Sequence, residues 1–309
     1  MKLTKSELRC LRAVIDSTHA NASAISTAIH VARPYVSRAT STLEAKGFVT
    51  AKKLGLTKTV TLSDAKHAEL WRKLALEYGH MALDELISGG SLEVLAALCY
   101  GKLHGRREIA EQTAMSESSV AKVLERLKQV GIVQKRDGTY FISPRFNAFH
   151  DFVVEFRHYL NEKIAREFAN DAIVLWEWNT DFIIESKRPE ERQGFQLTGV
   201  SLFPLFGIRL LAPSSYFFYS PFARKLRIED AILHSLLIPN KMMLPILLAW
   251  KKNERKLNLH YLEEQAEQYG AEPSVTGIAQ YFETHGSQRP TGFPPWEEFI
   301  VRAKEYGLA

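Results

Sequence analysis

The feature that most constrains the fold is an internal repeat in the first half of the 309-residue chain. Apolar positions and one glycine recur at a constant offset of 84 residues, without a gap, over about forty residues. The recurring pairs are Leu8 and Leu92, Leu11 and Leu95, Ile25 and Ile109, Val36 and Val120, Leu43 and Leu127, Gly47 and Gly131, and Val49 and Val133. A small three-helix core has to bury such positions, so the repeat predicts two consecutive copies of one fold.

Each copy has the pattern of three helices followed by a two-stranded hairpin. In the first copy the apolar spacing predicts helices over 4–17, 22–29 and 33–46 and strands over 48–53 and 59–62. Gly47 is suited to end the third helix, and Ser63 with Asp64 predicts the cap of a further helix that runs to about Tyr78. In the second copy the corresponding short helices cover 106–113 and 117–130, and the strands cover 132–136 and 139–142. Asp137-Gly138 between these strands is a strong signal for a tight hairpin.

Beyond residue 145 the pattern becomes a mixture of α and β. It predicts an aromatic helix over 146–168, a hairpin over 172–187, a strand over 215–219 and then mainly helices. We therefore predict a mainly α protein with small β wings, in which two tandem winged helix-turn-helix domains precede an α+β domain. The predicted domains cover 1–80, 81–170 (with the long following helix) and 171–309.

Basic charge is concentrated in the first copy. Residues 1–80 carry 13 Lys and Arg against 6 Asp and Glu, whereas residues 81–145 carry 9 against 8. A locally basic module is typical of a domain that binds a polyanion such as DNA. Surface lysines also serve solubility alone, so the positions of the charges have to support this interpretation.

The third helix of a winged helix-turn-helix enters the major groove, and the wing contacts flanking phosphates or the minor groove. In the first copy we expect Val36, Thr40 and Leu43 to face the core. The candidate DNA contacts on this helix are Arg33, Tyr35, Ser37, Arg38 and Ser41, and those on the wing are Lys52, Lys53 and Lys58. The alternative is a winged helix that contacts only protein.

The second copy is the weaker candidate for DNA binding, because Glu117 and Glu125 on its third helix oppose contact with phosphates. Its candidate contacts are Ser118, Ser119, Lys122, Arg126, Lys135 and Arg136. A structural or dimerising role is the alternative for this copy.

The first copy resembles MarR-like and related bacterial and archaeal winged-helix regulators. The resemblance lies in ISTAIHVARPYVSRATSTLEAKGFVTAKK and in TVTLSDAKHAEL, where a wing strand runs directly into a helix. It implies a DNA-binding regulator of transcription. MarR proteins carry one such domain and dimerise through terminal helices, whereas this sequence predicts two domains in one chain.

The C-terminal half resembles the nucleotidyltransferase-like region of AbiEi-type antitoxin regulators, in LTGVSLFPLFGI and RIEDAILHSLL. The resemblance implies that Gly199, Val200 and Ser201 correspond to the turn that holds a nucleotide phosphate in active members. Active transferases also need two or three carboxylates for magnesium, and no Asp or Glu lies between Glu191 and Glu229. We therefore expect a degenerate domain with no enzyme activity, no cofactor and no metal.

Several other residues have a functional and a structural interpretation. Asp181 and Glu185 are alternative metal ligands or ordinary charges on a strand surface. His260 with Glu263 or Glu264 has the spacing of a metal pair, although a solvated helix face fits better. Trp176 and Trp178, with Phe152, Phe156 and Tyr159, line an effector pocket or form core. Cys10 and Cys99 are expected to be small buried thiols without a disulfide.

Together these patterns predict a sequence-specific transcription regulator, and a repressor in particular. The predicted partners are double-stranded DNA, a second copy in a homodimer, and either a cognate toxin or a small-molecule effector. No membrane partner is expected, because the longest apolar run is interrupted by Pro204, Arg209 and Pro213. The absence of a signal peptide favours the cytoplasm. The alternatives are an antitoxin that also represses its own operon, a replication initiator and, with least support, an active nucleotidyltransferase.

Overall fold

The computed structural model describes residues 1–17, 20–54, 57–100, 105–188, 190–191, 194–210, 213–222, 224–239 and 241–308. The chain divides into two compact units, Met1–Leu160 and Asn161–Ala309. Both units are mainly helical and contain small antiparallel sheets. The division falls inside a long helix, whereas the sequence places its last domain boundary after residue 170.

The N-terminal unit opens with three helices and a small sheet. Its first elements are α1 Lys5–Asp16, β1 Ala20–Asn21, α2 Ala22–Ile29, α3 Arg33–Ala45, β2 Val49–Leu54, β3 Thr57–Leu62 and α4 Lys66–Glu77. The antiparallel sheet has the order β1-β3-β2, and the sequence pattern did not predict its short edge strand β1. The predicted cap of α4 is wrong: Ala65 is the N-cap residue, and the Ser63 hydroxyl donates to the carbonyl of Gly47 instead.

The second segment of this unit repeats the first. It contains α5 Leu83–Leu86, α6 Ser91–Cys99, α7 Arg106–Thr113, α8 Glu117–Gln129, β4 Val133–Arg136, β5 Thr139–Ile142, a 3-10 turn Pro144–Phe146 and α9 Asn147–Phe168. Helices α7 and α8 begin and end 84 residues after α2 and α3. The residue after each short helix is left-handed, with φ of 54° at His30 and 51° at Ala114. The backbone therefore follows the repeat even where the side chains differ.

One core joins both segments to the first part of α9. Each apolar residue of the seven repeated pairs is at most 2% exposed. The aromatic side chains Phe149, Phe152 and Phe156 of α9 pack into the same core. Polar contacts also link the segments: the Gly89 amide donates to the Leu3 carbonyl at 2.8 Å, and Arg9 pairs with Asp84 at 2.7 Å. Cys10 in this core is buried and Cys99 partly buried, and both are free thiols.

The C-terminal unit has a four-stranded antiparallel sheet and five helices among its described residues. The strands are β6 Ile173–Trp178, β7 Asp181–Ser186, β8 Phe195–Leu197 and β9 Ser215–Tyr219, in the order β6-β7-β9-β8. The helices are α10 Ile228–Leu237, α11 Met243–Asn253, α12 Leu259–Tyr269, α13 Glu272–Glu283 and α14 Trp296–Glu305, with 3-10 turns at Gly199–Ser201, Phe203–Phe206 and Glu254–Lys256. The predicted hairpin turns at Asn179, which is left-handed with φ of 54°. None of the described helices, in either unit, is both long enough and apolar enough to cross a bilayer.

Gly47 and Gly131 occupy the same place in the two segments and predict different costs of substitution. Both have positive φ, 74° and 79°, so alanine strains the backbone by about 1–2 kcal/mol at either site. A Cβ on Gly47 would also overlap the Tyr159 ring, whereas one on Gly131 would meet its nearest atom, on Phe146, at 3.8 Å. We expect Gly47→Ala to lower the unfolding free energy in urea by roughly 1–3 kcal/mol more than Gly131→Ala. Equal losses in the two variants would contradict this account of the Tyr159 contact.

His67 makes the stability of the N-terminal unit depend on pH. Its ring is 1% exposed, stacks on Phe156 and lies 3.0 Å from the Lys46 carbonyl oxygen, and burial lowers its pKa from 6.5 to about 4. Since the unfolded chain binds the proton more tightly, stability is lost as pH falls from 6.5 towards 4, by up to about 3 kcal/mol. Urea unfolding of His67→Gln at a series of pH values should show a flatter profile than wild type. The matched variant of the exposed His80, His80→Gln, should keep the wild-type profile.

Candidate nucleic-acid interface

Helix α3 presents one apolar face to the core and one polar face to solvent. Val36, Thr40 and Leu43 are buried, as the sequence predicted, and the Thr40 hydroxyl donates to the Val36 carbonyl at 2.9 Å. The predicted contact residues lie on the exposed face: Arg33, Tyr35, Ser37, Arg38 and Ser41. Tyr35 is 54% exposed, although large aromatic side chains of this kind normally bury most of their surface. The face therefore offers two guanidinium groups, three hydroxyls and one aromatic ring to a partner.

The N-terminus of α3 has no side-chain cap. Its N-cap residue is Ala32, which cannot accept a hydrogen bond through its side chain, and the first turn contains no acidic residue. The first amide groups of a helix lack partners within the helix and carry a partial positive charge, so they attract anions such as phosphate. Arg33 lies in this first turn, and no carboxylate of the described residues pairs with Arg33 or Arg38.

The wing places its lysines close together. Lys53 on β2 and Lys58 on β3 are direct register partners, and Lys52 lies opposite Thr59. Like charges placed opposite each other on a sheet repel, and an anion between them relieves the repulsion. Lys58 also pairs with Glu44 at 3.3 Å, but both side chains are about half exposed, so this pair is weak.

Helix α8 has a different N-terminus and a more neutral face. The Ser116 hydroxyl accepts the Ser119 amide at 3.3 Å, and Glu117 lies in the first turn. Ser118, Ser119 and Lys122 are exposed, while Glu125 pairs with Lys128 at 3.4 Å. On the following hairpin Lys135 lies over the Tyr140 ring and Arg136 pairs with Asp137 at 3.7 Å.

The prediction of Arg126 as an exposed DNA contact is wrong. Its side chain is partly buried, its guanidinium donates to the hydroxyl of the fully buried Ser91, and its Nε is buried. The position follows from the helical period, because Arg126 lies next to the buried Leu127 on the side of α8 that faces α6. Arg126 thus connects two helices of the fold.

The candidate residues of the C-terminal unit have mainly structural surroundings. Asp181 is partly buried and accepts a hydrogen bond from the Tyr269 hydroxyl at 3.3 Å, and burial raises the pKa of its carboxyl. The interpretation of Asp181 as a surface charge is therefore wrong. Ser201 accepts the Tyr216 amide at 2.9 Å, which engages the hydroxyl oxygen of the predicted phosphate turn. His260 forms only an exposed ion pair with Glu264 at 3.4 Å, and the described residues include no group of three potential metal ligands.

The predicted effector pocket does not assemble from the five aromatic residues. Trp176 and Trp178 pack edge-on against Tyr269 in the C-terminal unit. Phe152, Phe156 and Tyr159 belong to the N-terminal unit, where the two phenylalanines are core. A different cavity of about 580 Å³ lies in the N-terminal unit, between α1, α2, α4 and α5. Its lining includes Arg9, Arg12, His30 and the buried Trp71, whose indole Nε1 has no hydrogen-bond partner among the described residues.

The elements α1 to β3 define a winged helix-turn-helix with a basic recognition face. Comparison with known families agrees: residues 3–54, from α1 to the end of β2, match the MarR family. This match implies a DNA-binding transcription regulator. Residues 192–308 match a second family, HVO_2833_C, described only as a C-terminal region. A search of curated proteins found no significant match to the chain.

Two features of the interface were missed by sequence reasoning. One is the open N-terminus of α3, which the alanine at position 32 signals, since Ser, Thr, Asp or Asn is usual at an N-cap. The other is the ion pair of 2.7 Å between Lys46, at the end of α3, and the buried Glu7 of α1. This pair fixes the C-terminal end of α3 to the core and has no local signal in the sequence.

The structural position of Arg126 predicts a loss of stability on its removal. Arg126→Ala takes a partly buried donor from Ser91, and we expect the unfolding free energy to fall by about 1–2 kcal/mol. The exposed Lys122 on the same helix provides the control, and Lys122→Ala should stay within about 0.5 kcal/mol of wild type. Chemical denaturation of both variants measures the difference. A fully stable Arg126→Ala would return this residue to the set of free surface cations.

Proposed function

We propose that the chain is a sequence-specific transcription regulator that inserts α3 into the major groove of DNA and places the β2–β3 wing on the flanking phosphates. The observation that carries the proposal is the exposed face of α3. It combines two guanidinium groups without a carboxylate partner, an exposed tyrosine and an uncapped helix N-terminus. Arginine and hydroxyl side chains on such a helix supply both base-edge and phosphate contacts.

Within the N-terminal unit, α3 is a better DNA-reading helix than α8. The first amides of α8 are capped by Ser116 and followed by Glu117, which repels phosphate. We propose that the second segment is a winged helix-turn-helix by descent, since its elements repeat the first at a fixed offset, and that it adds at most weak contacts. Ser118, Ser119, Lys122, Lys135 and Arg136 are the residues available for them.

We further propose that the protein acts as a repressor, without catalysis, and as a homodimer. Nothing in the fold favours an antitoxin or a replication initiator over this function, so these alternatives stay predictions, as does the likeness to nucleotidyltransferases. For a small-molecule effector, the cavity beside Trp71 is the proposed location. Its volume lies in the range of about 300–1,000 Å³ that is usual for ligand pockets, and His30 in its wall begins the turn into α3.

Replacement of Arg38 tests the role of α3. We expect Arg38→Ala to weaken binding to the selected DNA site by about 1–3 kcal/mol, because a guanidinium contact to a base edge or a phosphate is lost. The site is first obtained by selecting bound genomic fragments, and affinity is then measured by fluorescence anisotropy at several salt concentrations. Wild-type affinity should fall steeply with salt, as expected for binding that neutralises phosphates.

Arg72 on α4 provides the matched control for Arg38. It is also an exposed arginine of the N-terminal unit, but it lies outside the helix-turn-helix and the wing. Arg72→Ala should bind DNA as wild type does. The proposal fails if Arg38→Ala binds as tightly as Arg72→Ala, or if the affinity of the wild type does not depend on salt.

A further inference from the structure

The C-terminal unit carries a compact group of basic side chains that the proposed function does not use. Four exposed residues form it, and we call them the basic patch: Lys225, Arg227, Arg255 and Lys256. Lys225 and Arg227 precede α10, whereas Arg255 and Lys256 lie in the 3-10 turn before α12. The patch is a local feature, because residues 161–309 as a whole carry 17 Lys and Arg against 19 Asp and Glu.

Three contacts hold the two halves of the patch together. The Asn258 amide, two residues after Lys256, donates to Glu229 of α10 at 2.6 Å. The Tyr261 hydroxyl donates to Asp230 of α10 at 2.7 Å. The Arg227 guanidinium lies 4.8 Å from the centre of the Tyr261 ring. The beginnings of α10 and α12 are therefore neighbours, and the four cations extend from one surface.

The nearby acidic groups are already engaged. Asp230 is buried, accepts both nitrogens of the Arg224 side chain at 2.8 and 2.9 Å, and accepts the Arg227 amide at 2.7 Å. These bonds hold the pKa of Asp230 below its usual value. Glu229 is buried against Asn258, and Glu254 pairs with Lys251 at 2.8 Å. None of the carboxylates that the structure describes forms an ion pair with a member of the basic patch.

Four like charges held together without counter-ions are costly unless a polyanion covers them. Arg227 is also pre-oriented by its stack on Tyr261, which lowers the entropy lost on forming a hydrogen bond. We propose that the basic patch binds the phosphate backbone of duplex DNA as a second contact surface of the regulator. This inference rests on the proposed function, and it assigns to the C-terminal unit a role in affinity that is independent of base sequence.

The test uses the full chain and a fluorescein-labelled random-sequence duplex, which reports phosphate contacts alone. In the triple variant Arg227→Ala, Arg255→Ala, Lys256→Ala, we expect the slope of log affinity against log salt to decrease by about 2 to 3, since each lost phosphate contact accounts for about 0.9. Affinity at low salt should fall roughly tenfold or more. A matched variant removes two arginines and one lysine from other exposed places of the same unit: Arg209, Arg289 and Lys304.

The outcomes separate this inference from the proposed function. The matched variant should keep the wild-type slope, and an equal decrease in both triple variants would mean that only net charge matters, which overturns the patch. If Arg38→Ala weakens binding to the selected site but the patch variant keeps the wild-type slope, the patch serves another partner, such as an acidic protein, and the inference is wrong. A wild-type protein that binds no duplex overturns both. The double variant Arg255→Ala, Lys256→Ala leaves the Tyr261 stack intact, so its smaller slope change distinguishes lost contacts from misfolding.

Discussion

Burial of a repeated set of apolar side chains is the interaction on which the N-terminal unit depends. A single three-helix segment is small, and a core of that size stabilises a fold only marginally. Here two segments and the aromatic side of α9 share one core, in which Phe149, Phe152 and Phe156 are at most 1% exposed. Burial of each such ring contributes on the order of 2–3 kcal/mol. The polar faces of α3 and α8 are therefore positioned by packing that neither segment could provide alone.

The same packing divides the charged residues into two kinds. Arg126, Arg157 and Lys46 turn inward and bind Ser91, Glu93 and Glu7, so they stabilise contacts between elements. Arg33 and Arg38 turn outward and have no such partner among the described residues. Only cations of the second kind can exchange their water for phosphate without breaking the fold. Net charge per segment hides this distinction, although it decides which helix can bind DNA.

Much of the fold could be predicted from the sequence, because apolar periodicity depends on burial and burial is repeated here. The bounds of α12 and the turn of the hairpin at Asn179 follow from local signals that tertiary contacts do not override. Predictions that depended on a single side chain were less successful. Ser63 was expected to cap α4 but bonds to Gly47, which is distant in sequence, and Asp181 is buried by Tyr269 of a helix that follows much later. The exposed face of α3 was predictable because it is the complement of the apolar face, whereas the fate of Arg126 depended on α6.

The left-handed residues that link α2 to α3 and α7 to α8 limit how these helices can vary. His30 and Ala114 adopt a conformation that costs a residue with a Cβ about 1–2 kcal/mol, and neither side chain favours it. The bend between the two helices is therefore imposed by the burial of Ile25 with Val36 in one segment, and of Ile109 with Val120 in the other. A change in the volume of these core residues will alter the angle at which the outer face is presented, so the specificity of the surface can drift through substitutions that never touch a ligand.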